Sequence, residues 1–102
     1  MSTLHTVNKS PFTHSTLVSC MAICQPGDAL LLIEDGVYAA LPSSPVQKRL
    51  KTLADSGVTV AALGPDLDAR GLTSRSVDWI TTMDYDGFVT LSTTLKTVQS
   101  WY

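Results

Sequence analysis

Charge is scarce in this 102-residue chain: 16 % of residues are charged and the formal net charge is -2. So weak a field lacks the basic footprint of a nucleic-acid binder, and no direct nucleic-acid contact is expected. Scarce charge on a small domain also hints that partners, rather than water, cover part of the surface. Long apolar runs are missing too: no window approaches the roughly 20 residues of a membrane-spanning helix. The opening residues Met1 to His5 lack a basic region followed by an apolar stretch, so no signal peptide is expected. Cysteine is limited to Cys20 and Cys24, too few and too close for a disulfide framework. A reducing, cytoplasmic compartment is the resulting expectation.

The chemistry-bearing motifs are thin. Loops expected at the carboxyl ends of the first three strands read Lys9-Ser10-Pro11, Glu34-Asp35-Gly36 and Gly64-Pro65-Asp66. None is a glycine-rich phosphate cradle, which argues against a dinucleotide or nucleoside triphosphate site. Cys20 and Cys24 stand four apart with His5 and His14 upstream, whereas a structural zinc site wants two spaced ligand pairs. Both histidines therefore read as ordinary surface or satisfied residues. Asp84 and Asp86 suit the positive end of a helix dipole better than an acid–base pair. Glu34-Asp35 reads as a turn, and Lys48, Arg49 and Lys51 as a solvated helix face. No complete active site can be assembled, so a stand-alone enzyme is not expected.

What is present is the patterning of one α/β domain spanning residues 1–102. The hydrophobic share of 44 % suffices for a packed core. Leu4 to Asn8 reads as a first strand. Ser10-Pro11 then supplies a helix start, with a helix expected from Pro11 to Cys24, stopped by Gln25-Pro26-Gly27. The continuous apolar run Ala29 to Ile33 suits a strand buried on both faces, as in a parallel sheet covered by helices. A short helical segment is expected over Val37 to Leu41. A helix follows from Ser44-Pro45 to Ser56, with Val46, Leu50, Leu53 and Ala54 on one face and Gly57 as its C-terminal cap. Val58 to Leu63 reads as the third strand, Asp66 to Gly71 as a helical turn, and Val77 to Ile80 as a fourth strand. Asp84 can cap a last helix bearing Phe88, Leu91 and Leu95, and Thr97 to Trp101 reads as a final strand. The alternation predicts an open, mostly parallel sheet with helices on both faces.

Cys20 is the residue on which any chemistry rests. On the expected helix it sits in an apolar face with Leu17 and Cys24 on one side and Ile23 and Phe12 on the other. Free cysteine is often a small buried hydrophobe, and this placement suits that reading. No cation lies within a turn, and the residue is nearly three turns from the helix start, beyond the reach of its dipole. A disulfide to Cys24 is disfavoured by the poor orientation of two cysteines four apart on a regular helix.

Several segments together resemble the DsrH/TusB family. They are Leu4-His5-Thr6 with Ser10-Pro11-Phe12, Pro26-Gly27-Asp28 leading into Glu34-Asp35-Gly36-Val37, Asp66-Leu67-Asp68-Ala69-Arg70-Gly71-Leu72, Asp84-Tyr85-Asp86-Gly87-Phe88-Val89, and Val98-Gln99-Ser100-Trp101. The resemblance implies the smallest subunit of a cytoplasmic sulfurtransferase complex, a heterohexamer with two copies each of this chain, a DsrE/TusD-like and a DsrF/TusC-like subunit. Persulfide sulfur would pass to a small DsrC/TusE-like acceptor, with the main carrier cysteine on the DsrE/TusD subunit and no metal or organic cofactor. A cysteine at position 20 resembles the DsrH branch and so implies dissimilatory sulfur oxidation, with Cys20 as a secondary sulfur carrier. The alternatives are a TusB-like subunit for 2-thiolation of the tRNA wobble uridine, and a purely structural subunit. Cys24 has no family counterpart in this resemblance and is left structural.

Overall fold

A computed structural model describes residues 2–102. Five strands form one sheet in the order β4-β3-β2-β1-β5, and every pairing is parallel. The strands are β1 (Thr3–Val7), β2 (Ala29–Leu32), β3 (Thr59–Leu63), β4 (Thr81–Met83) and β5 (Thr97–Trp101). Between them run α1 (Thr16–Met21), a 3-10 segment (Glu34–Ala40), α2 (Gln47–Asp55), α3 (Gly64–Ala69) and α4 (Tyr85–Thr94). The expected α/β class is thereby realised, with a sheet that is wholly rather than mostly parallel.

The path explains the layering. From β1 to β4 the chain steps across the sheet in one direction, and right-handed crossovers place the intervening helices on one face. Here Val7, Leu30, Leu32, Val60 and Ala62 pack with Leu17, Cys20, Val37, Leu50 and Leu67. The chain then reverses to lay β5 beside β1, and α4 covers the opposite face. Leu4, Ala29, Leu31 and Ala61 meet Phe88, Leu91 and Leu95 there. All four residues of β2 are buried, as a central parallel strand with both faces covered requires.

Local signals act as their chemistry dictates at several ends. Asp84 Oδ1 accepts from the Gly87 N–H at 2.8 Å and caps α4. Gly57, with φ +109°, lets the chain leave α2, its N–H donating to the Ala54 carbonyl and that of Val58 to Leu53. Lys48, Arg49 and Lys51 are exposed, as their position off the apolar stripe implies. Asp35 receives the Arg70 guanidinium at 2.9 Å, and Asp66 accepts from the Glu34 N–H at 2.6 Å. These loops at the carboxyl ends of β2 and β3 are thus tied to each other.

Two elements differ from expectation. The helix predicted over Pro11–Cys24 spans only Thr16–Met21. Ser10 and Pro11 do open a turn: the Ser10 hydroxyl accepts from the Phe12 N–H and its carbonyl from the His14 N–H. The Thr13-His14-Ser15-Thr16 stretch then interrupts it, since Ser and Thr offer the backbone competing hydrogen bonds. Phe12 and Ile23, 50 % and 54 % exposed, consequently lie off the helix and do not flank Cys20. The fourth strand is Thr81–Met83 instead of Val77–Ile80. Ile80 is buried and the Val77 N–H donates to the Ala40 carbonyl at 2.8 Å, so the apolar run seals the end of the 3-10 segment. Thr81, Thr82 and Met83 beyond it form an edge strand, where partial exposure is tolerated and Met83 packs against the second core.

Candidate functional site

The thiols lie where α1 ends. Cys20, in its last turn, is fully buried against the sheet, and Cys24 is half-buried in the irregular segment that follows. Their Sγ atoms are 3.9 Å apart, and Cys24 Sγ lies 3.4 Å from the Cys20 carbonyl, to which its S–H can donate. That carbonyl also accepts from the Ile23 N–H at 3.1 Å, so the Cys24 side chain helps to finish the helix.

Three residues from other elements surround the pair. Asp28 stands at the turn before β2, with one oxygen accepting from the Thr3 N–H at 2.9 Å. Its other oxygen accepts from the Gln25 N–H at 3.0 Å and faces His5 Nε2 at 3.1 Å. On the far side of the same ring, the indole N–H of Trp101 donates to His5 Nδ1 at 3.2 Å. An indole can only donate, so Nδ1 must carry the lone pair and Nε2 the proton that Asp28 accepts. The row Asp28–His5–Trp101 thus joins the start of β2 to β1 and the end of β5. It leaves each side chain with one orientation.

One ligand atom from each of His5, Cys20 and Cys24 lies within 4.8 Å of the other two. This donor set would suit a thiophilic ion such as zinc, and it is the set in which the chain could hold one. Both imidazole nitrogens are already hydrogen-bonded, however, so coordination would displace Asp28 or Trp101. His5 is a satisfied histidine, as one of the two expected readings had it, and its place beside the thiols is what the sequence did not show. His14 is exposed, and its ring is hydrogen-bonded to the Thr13 hydroxyl.

The two thiols are electrostatically unequal. Hydrogen bonding to Cys24, burial and the negative charge of Asp28 push the Cys20 thiol far above the ordinary thiol range. The Cys20 hydrogen bond draws Cys24 below its usual value, against the opposing effects of burial and Asp28. Asp28 itself is pushed up by burial, but its bonds from Gln25, Thr3 and His5 outweigh that and hold it below the ordinary carboxylate range. The hydrogen bond between the thiols thus favours ionisation of Cys24 over that of Cys20.

The site also sits away from the expected place. Ligands of such sheets usually lie at the carboxyl ends of strands. Here Asp28 precedes β2 and Cys24 follows a helix that runs back across the sheet, so the thiols lie toward the strand starts.

A model of the family described as DsrH like protein matches residues 9–98. The chain belongs to the DsrH-like family. A protein TusB of Pectobacterium atrosepticum is 39 % identical to this DsrH-like chain over 89 residues, 87 % of this chain and 90 % of that protein. A protein TusB of Escherichia coli O81 is 36 % identical over 98 residues, 96 % and 99 % of the two chains. Two solved structures share the fold. The ychN protein of E. coli matches with a TM-score of 0.80 at 18 % identity over 98 % of this chain and 99 % of that one. MTH1491 of Methanobacterium thermoautotrophicum matches at 0.79 and 12 % over 96 % and 97 %. The resemblance seen in the sequence is thereby borne out: the chain is a member of the DsrH/TusB family. Among the described residues, no helix is long and apolar enough to cross a membrane.

Proposed function

We propose that this DsrH-like chain is a TusB-type subunit of a cytoplasmic relay that passes persulfide sulfur toward 2-thiolation of the tRNA wobble uridine. The observation that carries this reading is the near full-length similarity to proteins named TusB, at 36–39 % identity. It favours the thiolation branch over the sulfur-oxidation branch that Cys20 suggested. A single buried cysteine discriminates poorly between branches, because the position accepts any small hydrophobe that packs.

The partners of this reading are DsrE/TusD-like and DsrF/TusC-like subunits, two copies of each with two of this chain, and a DsrC/TusE-like acceptor. The sulfur site is the thiol cluster containing Cys20. Its chemistry is thiol–persulfide exchange, in which a thiolate attacks the outer sulfur of a persulfide and the thiolate behind that sulfur leaves. Within this chain, the hydrogen-bonded row of Asp28, His5 and Trp101 stands beside the thiols. A purely structural role is the second reading, favoured by the complete burial of Cys20.

Deleting the gene in its host and measuring the nucleosides of hydrolysed tRNA tests the destination of the sulfur. The proposal expects 2-thiouridine derivatives to fall strongly and to return on complementation. Unchanged thiolation together with impaired oxidation of stored or reduced sulfur would instead establish the sulfur-oxidation branch.

A further inference from the structure

Two cysteines four apart on a regular helix orient poorly for a disulfide. The helix ends at Met21. Cys24 therefore belongs to an irregular segment whose backbone is not held to helical spacing, and the orientation objection lapses. The two sulfurs are 3.9 Å apart, nearly in van der Waals contact. Closing to the bond length of about 2.05 Å requires a movement of about 2 Å, within reach of side-chain rotation and loop adjustment. Burial then divides the roles. A partner's persulfide can approach only a thiol with solvent access, and that is Cys24, because Cys20 is 0 % exposed.

We propose that Cys24 is the sulfur-accepting thiol of this chain and that Cys20 stands behind it as a resolving thiol that discharges an untransferred persulfide. The inference rests on the sulfur-relay reading and assigns its steps. In the loading step the Cys24 thiolate attacks the outer sulfur of a partner persulfide. A Cys24 Sγ–sulfur bond forms, the partner's S–S bond breaks, and the partner thiolate leaves. In the discharge step Cys20 Sγ attacks Cys24 Sγ. The bond from Cys24 to the carried sulfur breaks, a Cys20–Cys24 disulfide forms, and the carried sulfur leaves with the Cys20 proton as hydrogen sulfide.

Electrons balance without an outside oxidant: the sulfane sulfur is reduced to sulfide while two thiols are oxidised to the disulfide. Reducing the disulfide with a dithiol restores the pair.

The test uses the full chain, limiting inorganic polysulfide as the sulfur donor, and rapid alkylation followed by peptide mass mapping. In the unaltered protein the first one-sulfur adduct is expected on Cys24, decaying to the Cys20–Cys24 disulfide with release of sulfide. In Cys20→Ala the adduct should persist several-fold longer and no intramolecular disulfide should form; in Cys24→Ser neither adduct nor disulfide should appear. An adduct mapped first to Cys20 would overturn the assignment while leaving the relay reading standing. Equal adduct lifetimes in the unaltered protein and Cys20→Ala would overturn the resolving role. Absence of any adduct on this chain, while a separate partner subunit accepts sulfur from the same donor, would count against this chain as a carrier at all. Mapping on the unaltered protein decides the first point even if a variant folds poorly.

Discussion

Asp28→Ala is expected to lower folding stability by about 2–4 kcal/mol, because each buried donor left without an acceptor costs about 1–3 kcal/mol. The carboxylate is 5 % exposed and accepts from the Thr3 and Gln25 amides and from His5. Alanine leaves all three donors without their acceptor, and His5 also loses the group that fixes its tautomer against Trp101. Denaturant unfolding followed by tryptophan fluorescence measures the loss, and a change below about 1 kcal/mol would show that water replaces the carboxylate at little cost. Asp28→Asn adds a test of sign. The Asp28 carboxyl is held below its ordinary value in the folded protein, so its stabilisation is complete above the unfolded carboxylate pKa of about 3.9. It is lost as pH falls through the folded value. The stability advantage of the unaltered protein over Asp28→Asn should therefore narrow on strong acidification and be flat near neutrality. Removing this negative charge should also raise the alkylation rate of Cys24 near neutral pH, because the carboxylate opposes its ionisation.

Gly36→Ala is expected to cost at least about 3 kcal/mol, at the upper end of overpacking changes. A Cβ at this buried position would stand 2.2 Å from the Val7 carbonyl oxygen. That oxygen cannot yield freely, because it accepts from the Ile33 N–H at 3.0 Å where the chain leaves β2. Relief requires moving the end of β1 or the 3-10 segment, both packed in the larger core. For a domain near this size the loss corresponds to a fall in melting temperature of roughly 12–24 °C. Calorimetry of the single variant measures it, and a melting temperature within a few degrees of the unaltered protein would contradict the close approach. The requirement at Gly36 is for space: the residue is not among those with positive φ.

Elements whose evidence is local were legible in the sequence. The buried run of β2, the apolar stripe of α2, the Asp84 cap and the Gly57 stop each depend on neighbours a few residues away, and each stands close to its expected place. Short elements dominated by tertiary contact were not. The first helix is cut down where Ser and Thr compete for its backbone, and β4 uses Thr81 to Met83 while Val77, Trp79 and Ile80 before it pack elsewhere. The site shows the same division. Cys20 was legible as a buried cysteine on an apolar helix face. His5 and Trp101 are 96 residues apart in sequence, and no spacing rule joins them. The one available signal was polarity in β1: a histidine buried in a strand beside the sheet centre needs a partner for each ring nitrogen. That signal asks for partners without naming them, and Asp28 and Trp101 answer it only through the parallel pairing of β1 with β2 and β5.

The central claim is that sulfur passes through the thiol pocket of this chain, rather than the chain merely completing an assembly. Replacing the chromosomal gene with a Cys20→Ala, Cys24→Ala double variant and measuring tRNA 2-thiouridine tests it most directly, with recovery of the assembled complex as the control. The account predicts that thiolation falls markedly while the complex still assembles. Unchanged thiolation with an intact complex would contradict it and leave this chain a structural subunit.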